Sequence, residues 1–268
     1  MQCLRLKLVP ITITLVSVFG GVAGSAPMTE WEARYGDATS FTVIAEFPHD
    51  PEAFTQGLAF AKNGAFFEGT GLRGESSVRK VDLGSGAVVK RFDLDDRYFG
   101  EGVTIYKRKV WQITWEEREG FVYGRRTLEK IDEFTYRGEG WGLTDHDGEL
   151  IMSNGSAVIR FRNPTNFKTK RKITVTEDGE PVANLNELEW IKGEIWANVW
   201  QSGRIVRIDP ATGEVTGSLD LSELWTKEQT NDPDVGVPNG IAYWATQDRI
   251  FVTGKMWHNV YEIRLVEP

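Results

Sequence analysis

The chain has 268 residues, 40% of them hydrophobic and 26% charged, ordinary values for a globular protein that allow one large domain or two small ones. A net charge of −8 and a pI near 5.1 argue against nucleic acid or an anionic membrane surface as partner and favour a small, neutral or cationic one. A single cysteine, Cys3, and three scattered histidines, His49, His146 and His258, leave no disulfide framework and no Cys-based or His-based zinc spacing.

The first segment reads as a targeting signal. Met1 to Lys7 carries positive charge, Leu8 to Val22 is mostly apolar, and Ala23-Gly24-Ser25-Ala26 offers small residues for cleavage. Residues 1–26 are therefore expected to be a signal peptide that sends the mature protein to the secretory pathway or periplasm. The alternative is a membrane anchor; Pro10, the glycines at 20, 21 and 24 and the shortness of the apolar run oppose it, so no stable membrane insertion is expected after cleavage. Because Cys3 lies in this segment, the mature chain must be held by a packed core. Residues 27–40 form a polar lead-in. Asn154-Gly155-Ser156 is a glycosylation sequon in a eukaryotic secretory pathway and otherwise a turn at a strand end.

Phe41 to Phe47 reads as a strand, rich in β-branched and aromatic residues and closed by Pro48. A repeat follows. Gln56-Gly57-Leu58, Glu101-Gly102-Val103, Trp141-Gly142-Leu143, Asn186-Glu187-Leu188 and Asn239-Gly240-Ile241 place a marker residue before a Gly-apolar or Glu-apolar pair, with 40 to 53 residues between markers. That spacing suits propeller blades, each a four-stranded antiparallel sheet. Every marker is followed by a second strand launched from a turn, at Gly64, Lys109, Gly148, Gly193 and Asp248. Third strands such as Ser77 to Leu83 and Arg204 to Asp209 then turn through Gly84-Ser85-Gly86 or Pro210 to Gly213 into a fourth. The last unit stops after its third strand, His258 to Leu265, so Phe41 to Phe47 can complete it and remove an exposed edge. The expected fold is all-β: a single five-bladed β-propeller over residues 41–268, closed by the N-terminal strand, with Thr226 to Gly236 as a polar insertion. A β-sandwich is the rival, and it leaves the shared register unexplained.

In a propeller the innermost strands surround the central channel, so the markers form a ring. Glu101 is its only acid, held between Gly100 and Gly102 at the opening of an apolar run, where it is expected to be chemically exposed. Counting from the shared turn, Gly71, Trp115, Gly155, Trp200 and Lys255 form a second layer, which should face the same mouth because neighbouring strands reverse direction. Polar residues at such positions often only satisfy backbone groups or water, a role open to Asn239 and Gln56. A carboxylate beside tryptophans has its charged form disfavoured, which poises it to pass protons near neutral pH; Lys255 opposes that shift.

These stretches, together with Phe54-Thr55-Gln56-Gly57-Leu58, Phe99-Gly100-Glu101-Gly102, Asn186-Glu187-Leu188-Glu189-Trp190, Asn198-Val199-Trp200, Val237-Pro238-Asn239-Gly240-Ile241-Ala242 and Thr253-Gly254-Lys255, resemble the glutaminyl-peptide cyclotransferases (glutaminyl cyclases) of the plant and bacterial type. The resemblance runs from about Phe41 to Leu265. It implies a five-bladed propeller that converts the N-terminal glutamine of peptides or proteins to pyroglutamate with release of ammonia. It further implies Glu101 as the catalytic acid, Phe54, Phe99, Trp115, Trp141 and Trp200 as pocket walls, and Gln56, Asn186 and Lys255 as polar pocket residues. No cofactor is required for this chemistry. Family members can carry a structural calcium in the channel, and no Asp-rich calcium loop is visible here, so its ligands are unassigned. The partner is then a peptide with N-terminal glutamine, met by a monomer. The alternatives are a calcium-dependent lactonase-type propeller hydrolase, with Glu101, Asn186 and Asn239 as ligands, and a non-catalytic propeller that binds peptides on its rim.

Overall fold

The computed structural model describes residues 39–266. The expected signal peptide, and the lead-in apart from its last two residues, lie outside that range. Four strands recur in each of five antiparallel sheets arranged as blades about a central channel. Blade 1 is β2 (Thr55–Phe60), β3 (Phe66–Thr70), β4 (Ser77–Val81) and β5 (Val88–Asp93) from the inside outwards. Blade 2 is β6 (Gly100–Tyr106), β7 (Lys109–Thr114), β8 (Glu119–Gly124) and β9 (Lys130–Thr135). Blade 3 is β10 (Leu143–His146), β11 (Glu149–Met152), β12 (Val158–Arg162) and β13 (Thr169–Thr174). Blade 4 is β16 (Leu185–Ile191), β17 (Glu194–Val199), β18 (Arg204–Ile208) and β19 (Val215–Asp220).

Blade 5 joins the two ends of the chain. Its inner strands are β20 (Pro238–Trp244), β21 (Arg249–Gly254) and β22 (Asn259–Leu265), and its outer strand is β1 (Phe41–Pro48), running antiparallel with Phe41 opposite Leu265. The expected closure is thus the observed one.

The core is divided among the seams rather than gathered in one place. Each neighbouring pair of blades shares its own apolar cluster: Val78 and Phe121 between blades 1 and 2, Ile113 and Leu150 between 2 and 3, Phe161 and Val206 between 3 and 4, Trp196 and Val252 between 4 and 5, and Leu58 and Phe251 between 5 and 1. Alternation along each strand supplies one apolar face to each of two seams.

The marker motif has a steric cause. A Cβ on Gly57 would lie 2.5 Å from the Val103 nitrogen, one on Gly102 2.5 Å from the Leu143 nitrogen, and one on Gly142 2.0 Å from the Asn186 carbonyl oxygen. Inner strands of successive blades therefore touch backbone to backbone at the marker, and only glycine allows it. The pairing register also shifts there in blades 1, 2, 4 and 5. Such bulges turn the marker side chain out of the regular pleat.

Two features depart from the sequence reading. The insertion is largely helical: α1 (Ser222–Asn231) packs on blade 5 through Leu224 and Glu228, one turn apart. Buried Glu228 accepts from the His258 amide, Asn259 Nδ2 and Tyr261 Oη, so a polar residue completes a docking face that Leu221, Leu224 and the partly buried Trp225 begin. A small ribbon, β14 (Thr176–Glu177) with β15 (Glu180–Pro181), also lies between blades 3 and 4.

Candidate active site

One mouth of the channel opens into a cavity of about 450 Å³. Phe54, Gln56, Phe99, Glu101, Trp115, Trp141, Asn186, Trp200 and Lys255, the nine residues singled out in the sequence, all line it. The first layer arrives on the bulged starts of the inner strands. The second arrives on the residues that follow the second strands, and two of its members are glycines for a reason: a Cβ on Gly71 would strike the Phe99 ring at 2.5 Å, and one on Gly155 the Trp141 ring at 2.6 Å.

The rings form an arc. Phe54 and Phe99 meet edge to face at 6.0 Å, Phe99 and Trp115 at 5.6 Å, and Trp141 and Trp200 at 5.4 Å between centroids. At one end Lys255 Nζ sits 4.5 Å from the Phe54 centroid. The arc therefore breaks between Trp115 and Trp141. Glu139 spans that break, its Oε2 accepting from both indole nitrogens at 2.9 Å.

Glu101 lies at the floor. It is 4% exposed, not chemically exposed as its glycine neighbours suggest, because Gly100 packs on the Thr70 carbonyl of blade 1 and Gly102 on blade 3. Its Oε1 accepts from Gln56 Nε2 at 3.0 Å, and Gln56 Oε1 in turn accepts from Asn239 Nδ2 at 3.0 Å. Asn239 Nδ2 also donates to the Thr55 carbonyl, so three markers from blades 5, 1 and 2 form one relay. Among the described residues neither Glu101 Oε2 nor Asn186 Oδ1, both buried, has a hydrogen-bond partner. Orphaned buried acceptors are rare, and two of them on residues that line one cavity suit a ligand bearing N–H groups.

Burial pushes the Glu101 carboxyl well above the usual range; the nearby Lys255 charge opposes this, and Glu117 and Glu139 add to it. Burial wins, which resolves the sign left open by the sequence. Lys255, 6% exposed, is shifted down by the same desolvation, with Glu101 opposing.

Sequence reasoning missed several residues. Gln201, Gly236 and Val237 also line the cavity. Glu117, which accepts from the Phe99 amide and Arg73 Nη2, and Glu139 sit outside the repeat register, so no periodic signal marks them. Asn239 was at a marker position, and its relay could have been sought there.

The sequence profile of the glutamine cyclotransferase family matches residues 15–265. A glutaminyl-peptide cyclotransferase of Arabidopsis thaliana is 41% identical over 248 residues, covering 89% of this chain and 78% of the relative. The crystal structure of Myxococcus xanthus glutaminyl cyclase superposes with a TM-score of 0.80 at 36% identity, over 85% of this chain and 97% of that one. A match of this extent, on a propeller whose aromatic mouth encloses the buried Glu101 carboxyl, places the chain in the glutamine cyclotransferase family.

Proposed function

We propose that this enzyme converts N-terminal glutamine of peptides and proteins to pyroglutamate, with Glu101 carrying the proton. The carrying observation is the state of that carboxyl: one oxygen is fixed by Gln56 and the other is buried without a partner, on a residue that lines an aromatic cavity. In the reaction the α-amine attacks the side-chain amide carbon, a ring C–N bond forms, the old C–N bond breaks and ammonia leaves. The net proton movement is from the attacking nitrogen to the departing one, which a single carboxyl between them can perform. Burial raises the carboxyl's affinity for protons, which suits a group that must both take a proton and give one back.

The remaining lining residues divide the other tasks. The five rings exclude water and hold the glutamine side chain folded towards its own amine, lowering the entropy lost on reaction. Asn186 Oδ1 is free to accept from a substrate N–H. Lys255 Nζ, partly desolvated, would stabilise the negative charge that develops on the amide oxygen.

No step is routed through a metal. Among the described residues no group of three His, Cys, Asp or Glu side chains could hold an ion. The acidic residues lining the opposite mouth are Asp145 and Glu189. Glu189 already accepts from the Tyr243 amide and Thr144 Oγ1, and Asp145 from Thr104 Oγ1. This pair does not make the set of oxygens calcium takes. The lactonase reading is disfavoured for a related reason: Glu101 Oε1 faces an amide N–H donor, Gln56 Nε2, where a cation site would present oxygen.

Secretion, read from residues 1–26, completes the proposal: a monomer acting on secreted or periplasmic peptides. Release of ammonia from Gln-, Glu- and Asn-initiated peptides, assayed in parallel, tests it. Ammonia is expected from the Gln peptide alone. Absence of release from that peptide, or full activity in a folded Glu101→Gln variant, would overturn it.

A further inference from the structure

We propose that Glu139 is a positioning residue of this pocket: by receiving both indole N–H groups on one oxygen it locks Trp115 and Trp141 into a continuous wall against which the glutamine side chain folds. The inference rests on the reaction proposed for this site. Glu139 itself need touch no substrate atom.

The geometry carries it. Phe54, Phe99 and Trp115 form one chain of edge-to-face contacts and Trp141 with Trp200 another, and Glu139 Oε2 at 2.9 Å from each indole nitrogen is the link between them. Trp115 belongs to the end of the second strand of blade 2, Trp141 to the start of blade 3, so the two walls come from different sheets. Without a shared acceptor their ring planes would be set independently.

The loop that delivers Glu139 is pinned on both sides. Before it, Tyr136 Oη accepts from the Thr114 amide at 2.9 Å and donates to the Thr114 carbonyl. After it, the Gly140 amide donates to the Trp115 carbonyl at 3.0 Å, and a Cβ at Gly140 would lie 2.6 Å from Tyr136 Oη. The glycine is required by that approach. The loop is thus tied to the strand end that carries Trp115, and Glu139 is held over it.

Glu139 also acts at a distance on Glu101. The charged and titratable groups around Glu101 are Lys255, Glu117, Glu139 and Tyr136; among them Glu117 and Glu139 favour the protonated carboxyl and Lys255 the ionised one. Removing the Glu139 charge while keeping an acceptor oxygen therefore separates its two effects.

Steady-state kinetics of ammonia release from a Gln-initiated peptide, across pH 5 to 9, read both. Glu139→Ala, which loses the acceptor, is expected to raise KM about tenfold and to lower kcat, since two hydrogen bonds to a charged group are lost and the walls are freed. Glu139→Gln, which keeps a carbonyl acceptor, should restore KM to within about threefold of the parent and move the Glu101 limb of the pH profile to lower pH. In a Trp115→Phe/Trp141→Phe background, which has no indole donors, Glu139→Ala should add nothing further to KM. KM within twofold of the parent in Glu139→Ala, equal KM changes in the Ala and Gln variants, or additivity in the double-Phe background would each overturn the proposal. Should Glu139→Ala fail to fold, the comparison of Glu139→Gln with the double-Phe protein still decides it through the pH limb and KM. Failure of the Glu101 assignment is distinguishable: Glu101→Gln would then stay active while the KM pattern at position 139 persisted.

Discussion

Two buried carboxylates on the inner strands, Glu101 in blade 2 and Glu187 in blade 4, share a raised proton affinity caused by burial and differ in everything else. Glu187 stands where the other four markers are followed by glycine, at positions 57, 102, 142 and 240. Its side chain crosses the channel, Oε1 accepting from the Leu58 amide at 3.2 Å and Oε2 from the Ile241 amide at 2.8 Å, so one side chain ties blade 4 to blades 1 and 5. Glu101, which lines the aromatic cavity, engages one oxygen with Gln56 and leaves the other buried without a partner. A shifted pKa therefore does not by itself separate the two carboxyls; the proposal of Glu101 as the proton carrier rests on its unpartnered oxygen and its place in the cavity lining.

This contrast can be broken most directly at Glu101. Glu101→Gln should lower kcat by about a thousandfold with little loss of thermal stability, measured by ammonia release and by calorimetry. Loss of stability without loss of rate would reverse the assignment. Glu187→Ala should do the opposite, leaving two buried N–H groups unsatisfied at a cost of about 3 kcal/mol, with kcat/KM per folded molecule within about threefold of the parent. Urea unfolding monitored alongside activity checks both halves. Between these extremes, Asn239→Ala removes the donor to Gln56 Oε1 and should reduce kcat about tenfold while KM changes little, as expected of a relay that orients Glu101 rather than the substrate.

The smallest effect is a slope. Glu189, on the same strand as Glu187, is pushed up to about 8, chiefly by burial, from an ordinary value of 4.5. The folded state then binds the extra proton, so its contribution to stability is present below about pH 4.5 and is lost as pH rises towards 8. Glu68 behaves with the opposite sign: though burial works against its charge, His49 and Arg79 hold it down to about 2, so its contribution is lost as pH falls from 4.5 towards 2. Urea midpoints at pH 5 and pH 8 should differ less in Glu189→Gln than in the parent, and an unchanged difference would remove Glu189 from the account.

Much of this was legible in the residues because a steric rule wrote it there. Backbone contact between inner strands forces glycine after the marker at Gln56, Glu101 and Trp141, and that forced glycine is what a reader detects. The ring of markers then brings the cavity residues together. Glu139 was not legible, since it acts through a side-chain carboxyl from an irregular loop and obeys no period. The helix Ser222–Asn231 was hidden for a different reason: part of its docking runs through Glu228, whose hydrogen bonds to blade 5 no hydrophobic pattern announces. Glu187 was visible as a variant of the motif, but its reach across the channel depends on where blades 1 and 5 stand, which only the closed ring fixes.

The pairing of Phe41 with Leu265, reinforced by the bond from the Val266 amide to the Ser40 carbonyl, brings the two ends of the described chain side by side on the outer strand pair of blade 5. A ring closed in this way has no first repeat, and the place where the polypeptide is cut is a matter of connectivity rather than of packing. A circular permutant joining these ends through a short linker and opening instead at the exposed turn around Asp178, between the two ribbon strands, would keep all five seams and the whole cavity. The point at which the chain enters the ring is thus interchangeable, whereas the cyclic order of the blades, which sets the aromatic arc around Glu101, is not.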